Sequence, residues 1–230
     1  MHLLLLHGAL GAKTQFADLE KNLSSDFDVH SINFSGHGGE PVPSGPFSIK
    51  LFAEDALKYL DAKKIIAANI FGYSMGGYTA LYLAGHYPER IGKILTVATK
   101  FHWDEEISAR EIKMLDAAKM KEKIPHFYNE LEKRHAPQNI EAILHKTREM
   151  MINLGKDNEL KPGDFELIKH ETIVGIGDRD KMVTLAETVV VYKKLPNGRL
   201  LVLPDTPHPF ERIDLERLVF EIKKFFLPLT

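Results

Sequence analysis

Cysteine is missing altogether from the 230 residues. Its absence excludes disulfides, thiolate metal sites, iron–sulfur clusters and cysteine nucleophiles, and it suits a reducing compartment, so a cytoplasmic location is expected. Neither sign of charge prevails, because 30 Lys+Arg stand against 32 Asp+Glu, a net of −2. Nucleic-acid binders usually carry a basic excess or stripe, and anionic lipid surfaces attract basic clusters. Neither partner is expected. Long apolar runs are lacking too: nothing approaches the roughly 18 residues that span a bilayer. The N-terminal run Leu3–Leu6 has no basic flank and is interrupted by His7-Gly8, so it reads as a buried strand and not as a leader. The remaining composition, 44% hydrophobic and 27% charged, is that of an ordinary globular protein. The expected partner is a small-molecule substrate, and nothing in the sequence fixes the oligomeric state.

What is present is an alternation of short apolar runs and helical patterns. Strands are expected at Leu3–Leu6, Val29–Phe34, Ile65–Phe71, Ile94–Ala98, Thr172–Ile176 and Leu200–Leu203. Helices are expected at Phe16–Leu23, Ile49–Leu60, Met75–His86, near Leu185–Tyr192 and at Leu215–Phe226. Strands that are continuously apolar, each followed by a helix, imply an α/β fold with a parallel sheet covered on both faces. Between residues 101 and 165 the strand signal stops. Breakers at Pro125, Pro137, Gly155 and Pro162-Gly163 divide a charged, helical stretch, read as an insertion of two to four amphipathic helices. The expected division is therefore a core of residues 1–100 and 166–230 with a cap over 101–165.

The strongest chemical signal is Gly72-Tyr73-Ser74-Met75-Gly76-Gly77, lying between an expected strand and an expected helix. A sharp strand-to-helix turn lifts the serine Oγ clear of the sheet, and side chains at the glycines would collide across it. The helix start offers backbone N–H groups and a positive dipole end to a developing oxyanion. A nucleophilic serine needs a base, and the base needs an orienting acid. Two later loops supply candidates at the carboxyl ends of strands: Gly177-Asp178-Arg179-Asp180 and Pro204-Asp205-Thr206-Pro207-His208-Pro209. The chain order is Ser, Asp, His. Asp178 and Asp180 both remain open as the acid. Gly8-Ala9-Leu10-Gly11-Ala12-Lys13-Thr14 lacks phosphate-loop spacing, Gly175-Ile176-Gly177 lacks a third glycine, and no HExxH-like spacing occurs. No metal and no cofactor are expected.

With these residues together, the sequence resembles the α/β-hydrolase superfamily. His7-Gly8-Ala9-Leu10-Gly11 resembles that family's oxyanion loop, and Gly36-His37-Gly38 its turn after the next strand. The serine, acid and histidine loops follow in the family's order. The resemblance implies roles: Ser74 as nucleophile, His208 as base, Asp180 as its orienting acid, and the backbone N–H groups of Ala9 and Met75 as the oxyanion hole. Family members commonly begin with a hairpin before the first of these motifs; this sequence starts on the motif's own strand, so six parallel strands are expected. A second departure is that Pro207 and Pro209 bracket His208 where glycine commonly precedes the histidine.

Similar hydrolases carry a cap where the 101–165 insertion falls. Tyr73 and Leu10 are expected to touch substrate. Trp103, at the entry of the insertion, either lines the pocket or packs the cap. A serine hydroxyl at position 74, in place of a carboxylate, argues against relatives that use aspartate there. The expected activity is a carboxylesterase-type hydrolysis of a small ester or thioester through an acyl-enzyme. A carbon–carbon hydrolase or lyase, with Arg110 and Lys113 as candidate carboxylate-binding groups, is the alternative within enzymes. A ligand-binding member without turnover is the alternative outside them.

Overall fold

The computed structural model describes residues 1–227. Six parallel strands form one sheet in the order β2-β1-β3-β4-β5-β6. They are β1 (His2–Leu6), β2 (Asp28–Ser31), β3 (Ala68–Tyr73), β4 (Ile91–Val97), β5 (Thr172–Gly177) and β6 (Gly198–Leu203). Successive strand residues point to opposite faces, and β1 shows the consequence. Leu4 and Leu6 enter one core with Phe52, Leu81 and Ile94, while Leu3 and Leu5 enter another with Phe16, Phe71 and Ile222. The helices α2 (Ile49–Ala62) and α3 (Met75–His86) contribute to the first core, and α1 (Ala17–Leu23) and α10 (Leu215–Phe226) to the second. The expected six-stranded, all-parallel α/β sheet is present.

Between β4 and β5 run α4 (Glu105–Glu111), α5 (Ala117–Lys123), α6 (Pro125–His135), α7 (Ile140–Lys156) and the short α8 (Asp164–Leu167); α9 (Leu185–Lys194) follows β5. Side-chain caps start several of these helices: Asp104 at α4, Asp116 at α5, Asn139 at α7 and Thr184 at α9 each accept a backbone N–H of the first turn. Such caps satisfy donors that have no partner within the helix. Pro125 opens α6 in its first turn, where its missing N–H costs nothing. Gly155, expected to break a helix, lies inside α7. A Cβ there would come 2.7 Å from the Asp104 carbonyl and meet Ser108 Oγ, so this glycine lets α4 and α7 pack closely.

Strand ends also differ from expectation. The β2 ladder stops at Ser31 and does not reach Phe34, because the Phe34 N–H donates to His7 Nε2 at 3.2 Å instead of a neighbouring strand. In the edge strand β6, Leu200 and Val202 are partly exposed; one flank of an edge strand has no neighbour to cover it. Among the described residues no helix is long and apolar enough to cross a membrane.

Candidate active site

The turn from β3 into α3 holds Ser74 at φ 51° and ψ −117°. A non-glycine residue there stores on the order of 1–3 kcal/mol of strain and persists only when its surroundings over-determine it. The surroundings are specific. The Ser74 N–H donates to the Val97 carbonyl at 2.9 Å, and Thr99 Oγ1 donates to the Ser74 carbonyl at 3.0 Å. A Cβ on Gly72 would lie 2.6 Å from the Gly76 carbonyl, and one on Gly76 would collide with the Leu6 carbonyl. The turn therefore needs both glycines. Ser74 is the N-cap residue of α3, yet its side chain makes no capping bond. Its Oγ is left free at the positive end of the helix dipole.

The loops after β5 and β6 meet beside this turn. His208 Nδ1 lies 2.8 Å from Asp180 Oδ2. Asp180 Oδ1 accepts the N–H groups of Met182 at 2.8 Å and Val183 at 2.9 Å. The Asp180 side chain is 1% exposed, so its charge is held by directed donors in place of water. A carboxylate accepting at Oδ2 sets the proton on Nδ1 of His208 and leaves Nε2 as the basic nitrogen. Asp178 does different work: its Oδ1 accepts the Thr206 N–H at 3.3 Å, which ties the two loops together. The geometry brings Asp180, and not Asp178, to the histidine. Tyr73 Oη donates to the His208 carbonyl, and its ring lies 5.7 Å from the imidazole. Burial pushes the Tyr73 hydroxyl well above its ordinary value, so it stays a proton donor. Among the hydrogen bonds of the described residues, none joins Ser74 Oγ to His208.

The loop after β1 completes the floor. Gly8 passes so close that a Cβ would lie 2.9 Å from the Tyr73 ring and 3.2 Å from Ser74 Cβ. The Gly8 carbonyl accepts from His7 Nδ1 at 2.8 Å and from the Gly11 N–H at 3.0 Å. In a planar trans peptide the Ala9 N–H points the opposite way from that carbonyl. Leu10 adopts φ 57°, and its carbonyl accepts from His135 Nε2 and Arg134 Nη1, both at 3.1 Å. His135 Nδ1 in turn accepts the Gly38 N–H at 3.0 Å. One side chain from α6 thus clamps two loops of the sheet. Each of these buried rings uses one nitrogen as donor and the other as acceptor, which only a neutral imidazole can do. Burial holds His7 down to about 3 and His135 to about 4 in pKa. His37, packed between them, donates from Nδ1 to the Ser35 carbonyl at 3.0 Å and is also held well below its ordinary value by burial.

Ser74, Met75, Tyr73, Ala9, Leu10, Trp103 and His208 all line one cavity of about 1440 Å³. Its far wall comes from α5 and α7, with Met120, Met150, Met151 and Leu154. This volume exceeds the roughly 300–1,000 Å³ of ordinary small-molecule sites. Trp103 lines the cavity and is also fixed in place, since its Nε1–H donates to the Lys100 carbonyl at 3.2 Å and its backbone exchanges bonds with Asn158. Lys113 lines the cavity. Arg110 instead turns onto Glu111, at 3.0 and 3.1 Å. Sequence reasoning missed His135, Arg134 and Lys100. Lys100 is buried, lines the cavity and pairs with Glu187 at 3.0 Å. In the sequence these are ordinary polar residues of a helical or loop segment, and only the packing of α6 and α9 reveals their positions.

One sheet of six parallel strands flanked by helices is the architecture of the α/β-hydrolase fold. A family model described as alpha/beta hydrolase fold matches residues 1–120, and the chain belongs to that family. A pimeloyl-[acyl-carrier protein] methyl ester esterase of Neisseria meningitidis is 32% identical over 95 residues, 41% of this chain and 35% of that protein; the chain spans about a third of that relative. The serine hydrolase BPHL of Mus musculus is 26% identical over 222 residues, covering 90% of this chain and 72% of that one. Among solved structures, the enol-lactonase from Burkholderia xenovorans LB400 superposes with a TM-score of 0.79 at 21% identity, covering 99% of this chain and 91% of that one.

Proposed function

We propose that the protein is a serine hydrolase of carboxylesterase type that cleaves an ester or thioester through an acyl-enzyme on Ser74. The observation that carries this reading is that the strained, uncapped Ser74 shares a cavity with His208, whose ring pairs with buried Asp180 behind it. His208 Nε2 takes the Ser74 proton as Oγ attacks the carbonyl carbon, then returns it to the departing alcohol or thiol. Water, deprotonated by the same nitrogen, releases the acid. Asp180 stays ionised and stabilises the imidazolium. Catalytic hydrogen bonds are often looser without substrate, and the Ser74–His208 bond forms in the substrate complex. The Met75 N–H, at the start of α3, and the Ala9 N–H receive the oxyanion. The trapped Gly8 carbonyl supports this, because it fixes the Ala9 peptide before substrate arrives. Preorganised donors of this kind contribute about 3–4 kcal/mol each.

The α4–α7 insertion acts as a cap over the site. The cavity is larger than a short ester requires, and its wall of methionine and leucine suits an acyl or alcohol group of medium length. The names of the Neisseria relative, an ester hydrolase, and of the Burkholderia structure, a lactonase, point the same way. A second reading, carbon–carbon cleavage of a carboxylated substrate, draws on Lys113 in the cavity wall; Arg110, held by Glu111, lends it nothing. The test is a panel of p-nitrophenyl esters, thioesters and vinylogous diketones assayed with the wild type and Ser74→Ala. Ester or thioester turnover that falls by about 10⁴-fold or more in the variant is expected. Turnover confined to the diketones favours the second reading, and ester turnover that survives in Ser74→Ala overturns the first.

A further inference from the structure

A second cluster of chemistry-bearing side chains lies at the opposite end of the strands from the cavity. His2 is the first residue of β1, and Asp28 and His30 belong to β2. The parallel register sets His2 beside Asp28. The alternation of Asp28-Val29-His30 puts the carboxylate and the second imidazole on one face of β2. His2 Nδ1 lies 2.8 Å from Asp28 Oδ2 and 3.2 Å from His30 Nε2, and His30 Nε2 lies 3.3 Å from Asp28 Oδ2. Two nitrogens and one oxygen thus form a nearly equilateral triangle.

Protons serve this triangle poorly. If both imidazoles donate to Asp28, their N–H groups confront each other. If only His2 does, its N–H is shared between Asp28 and the His30 Nε2 lone pair, and that lone pair still faces the carboxylate at 3.3 Å. A single cation on the triangle's axis satisfies all three lone pairs. Donors about 2.1 Å from one ion, in tetrahedral to octahedral arrangement, stand roughly 3.0–3.4 Å apart, close to what is found. The other nitrogen of His30, Nδ1, is 3.1 Å from Tyr59 Oη on α2. An outer hydrogen bond of this kind fixes the tautomer and ring orientation of a metal-ligating histidine.

We propose that His2, Asp28 and His30 bind one divalent transition-metal ion of the zinc or nickel type and that the ion ties the edge strand β2 to β1. Two imidazoles and a carboxylate select such borderline ions over magnesium or calcium, which prefer all-oxygen sites. Asp28 is exposed and both histidines are half-buried, so an ion enters from solvent and keeps water on its open positions. The ion takes no part in hydrolysis at Ser74. The sequence hides this site, because His2 is separated from Asp28 and His30 by α1 and its loops. Other histidine–carboxylate pairs, His126–Glu130 and His145–Glu149, offer two ligands each and serve as the competing explanation for any metal uptake.

The experiment titrates the chelator-stripped full chain with zinc chloride at neutral pH by calorimetry, alongside Asp28→Asn, His30→Ala, the exposed-end variant His2→Ala and, as a control, Ser74→Ala. The expected result is one ion per chain with Kd below about 100 µM. Affinity should fall by about tenfold or more in each ligand variant and stay unchanged in Ser74→Ala. A hundredfold excess of zinc over Kd should raise the wild-type Tm by about 5 °C and leave His2→Ala unmoved. Ester hydrolysis should not respond to the substitutions at the three ligands. Weaker binding, or affinity retained in His2→Ala or His30→Ala, overturns the site. Tm values measured in chelator, within about 2 °C of wild type, show that a variant lost the ion and not its fold.

Discussion

His208 Nδ1 meets Asp180 Oδ2 at 2.8 Å, while Asp178, two residues earlier, spends its carboxylate on the Thr206 N–H. The two aspartates therefore separate in their effect on turnover. Asp180→Asn should lower kcat for an ester by about 10³–10⁴-fold, because the amide favours the wrong imidazole tautomer. Asp178→Asn should cost less than about tenfold, acting only through loop position. Steady-state kinetics with one p-nitrophenyl ester decides this, and a larger loss in Asp178→Asn would reverse the assignment.

The serine turn makes a steric prediction. Gly76→Ala drives a methyl group into the Leu6 carbonyl, where backbone must move, so a stability loss of about 3 kcal/mol or more is expected. A Cβ on Gly45 meets nothing within 4 Å, and Gly45→Ala should change stability by less than about 0.5 kcal/mol. Urea denaturation of the two variants checks the contrast.

Acid should loosen the clamp between α6 and the loops after β1 and β2. His7 and His135 are buried as neutral rings, held down to about 3 and about 4 from an ordinary 6.5. Below pH 6.5 the unfolded chain binds protons that the folded chain refuses. Stability is therefore full above that pH and falls as pH drops, towards pH 4 for His135 and pH 3 for His7. The slope contributed by each ring approaches about 1.4 kcal/mol per pH unit. His135→Gln, which can still donate to the Leu10 carbonyl, should be less stable at pH 7 but flatter between pH 6 and 4. Thermal unfolding across that range measures both; an equal slope in the variant would remove His135 from the account.

Cavity volume makes a prediction about substrate size. If the wall formed by Met120, Met151 and Leu154 holds the acyl group, Leu154→Trp should shift ester preference towards acetyl and leave Ser74 reactive. A chain-length series of p-nitrophenyl esters reads the shift. An unchanged profile would move the acyl group elsewhere in the cavity.

The sheet, its flanking helices and the serine turn were legible because each rests on local pattern. Leu3–Leu6 is apolar on both faces, and α3 and α10 begin and end where Met75–His86 and Leu215–Phe226 were expected. Gly72 and Gly76 were readable because only steric crowding explains glycine at those two places. The residue pattern alone left Asp178 and Asp180 both open as partner of His208, since they differ only in how the β5 loop turns; the resemblance implied Asp180, the residue that lies 2.8 Å from the ring. His135 was not readable, because its buried position depends on α6 crossing the Leu10 and Gly38 loops. Gly155 misled because a glycine that ends a helix and one that lets two helices touch look alike in sequence.

The central claim, that Ser74 is an activated nucleophile, is tested most directly by a fluorophosphonate probe followed by peptide mass spectrometry, with Ser74→Ala and His208→Ala alongside. The account predicts one phosphonylated peptide containing Ser74, absent from Ser74→Ala and formed at least about 10³-fold more slowly in His208→Ala. Labelling at another residue, or at Ser74 with the same rate when His208 is gone, would contradict it.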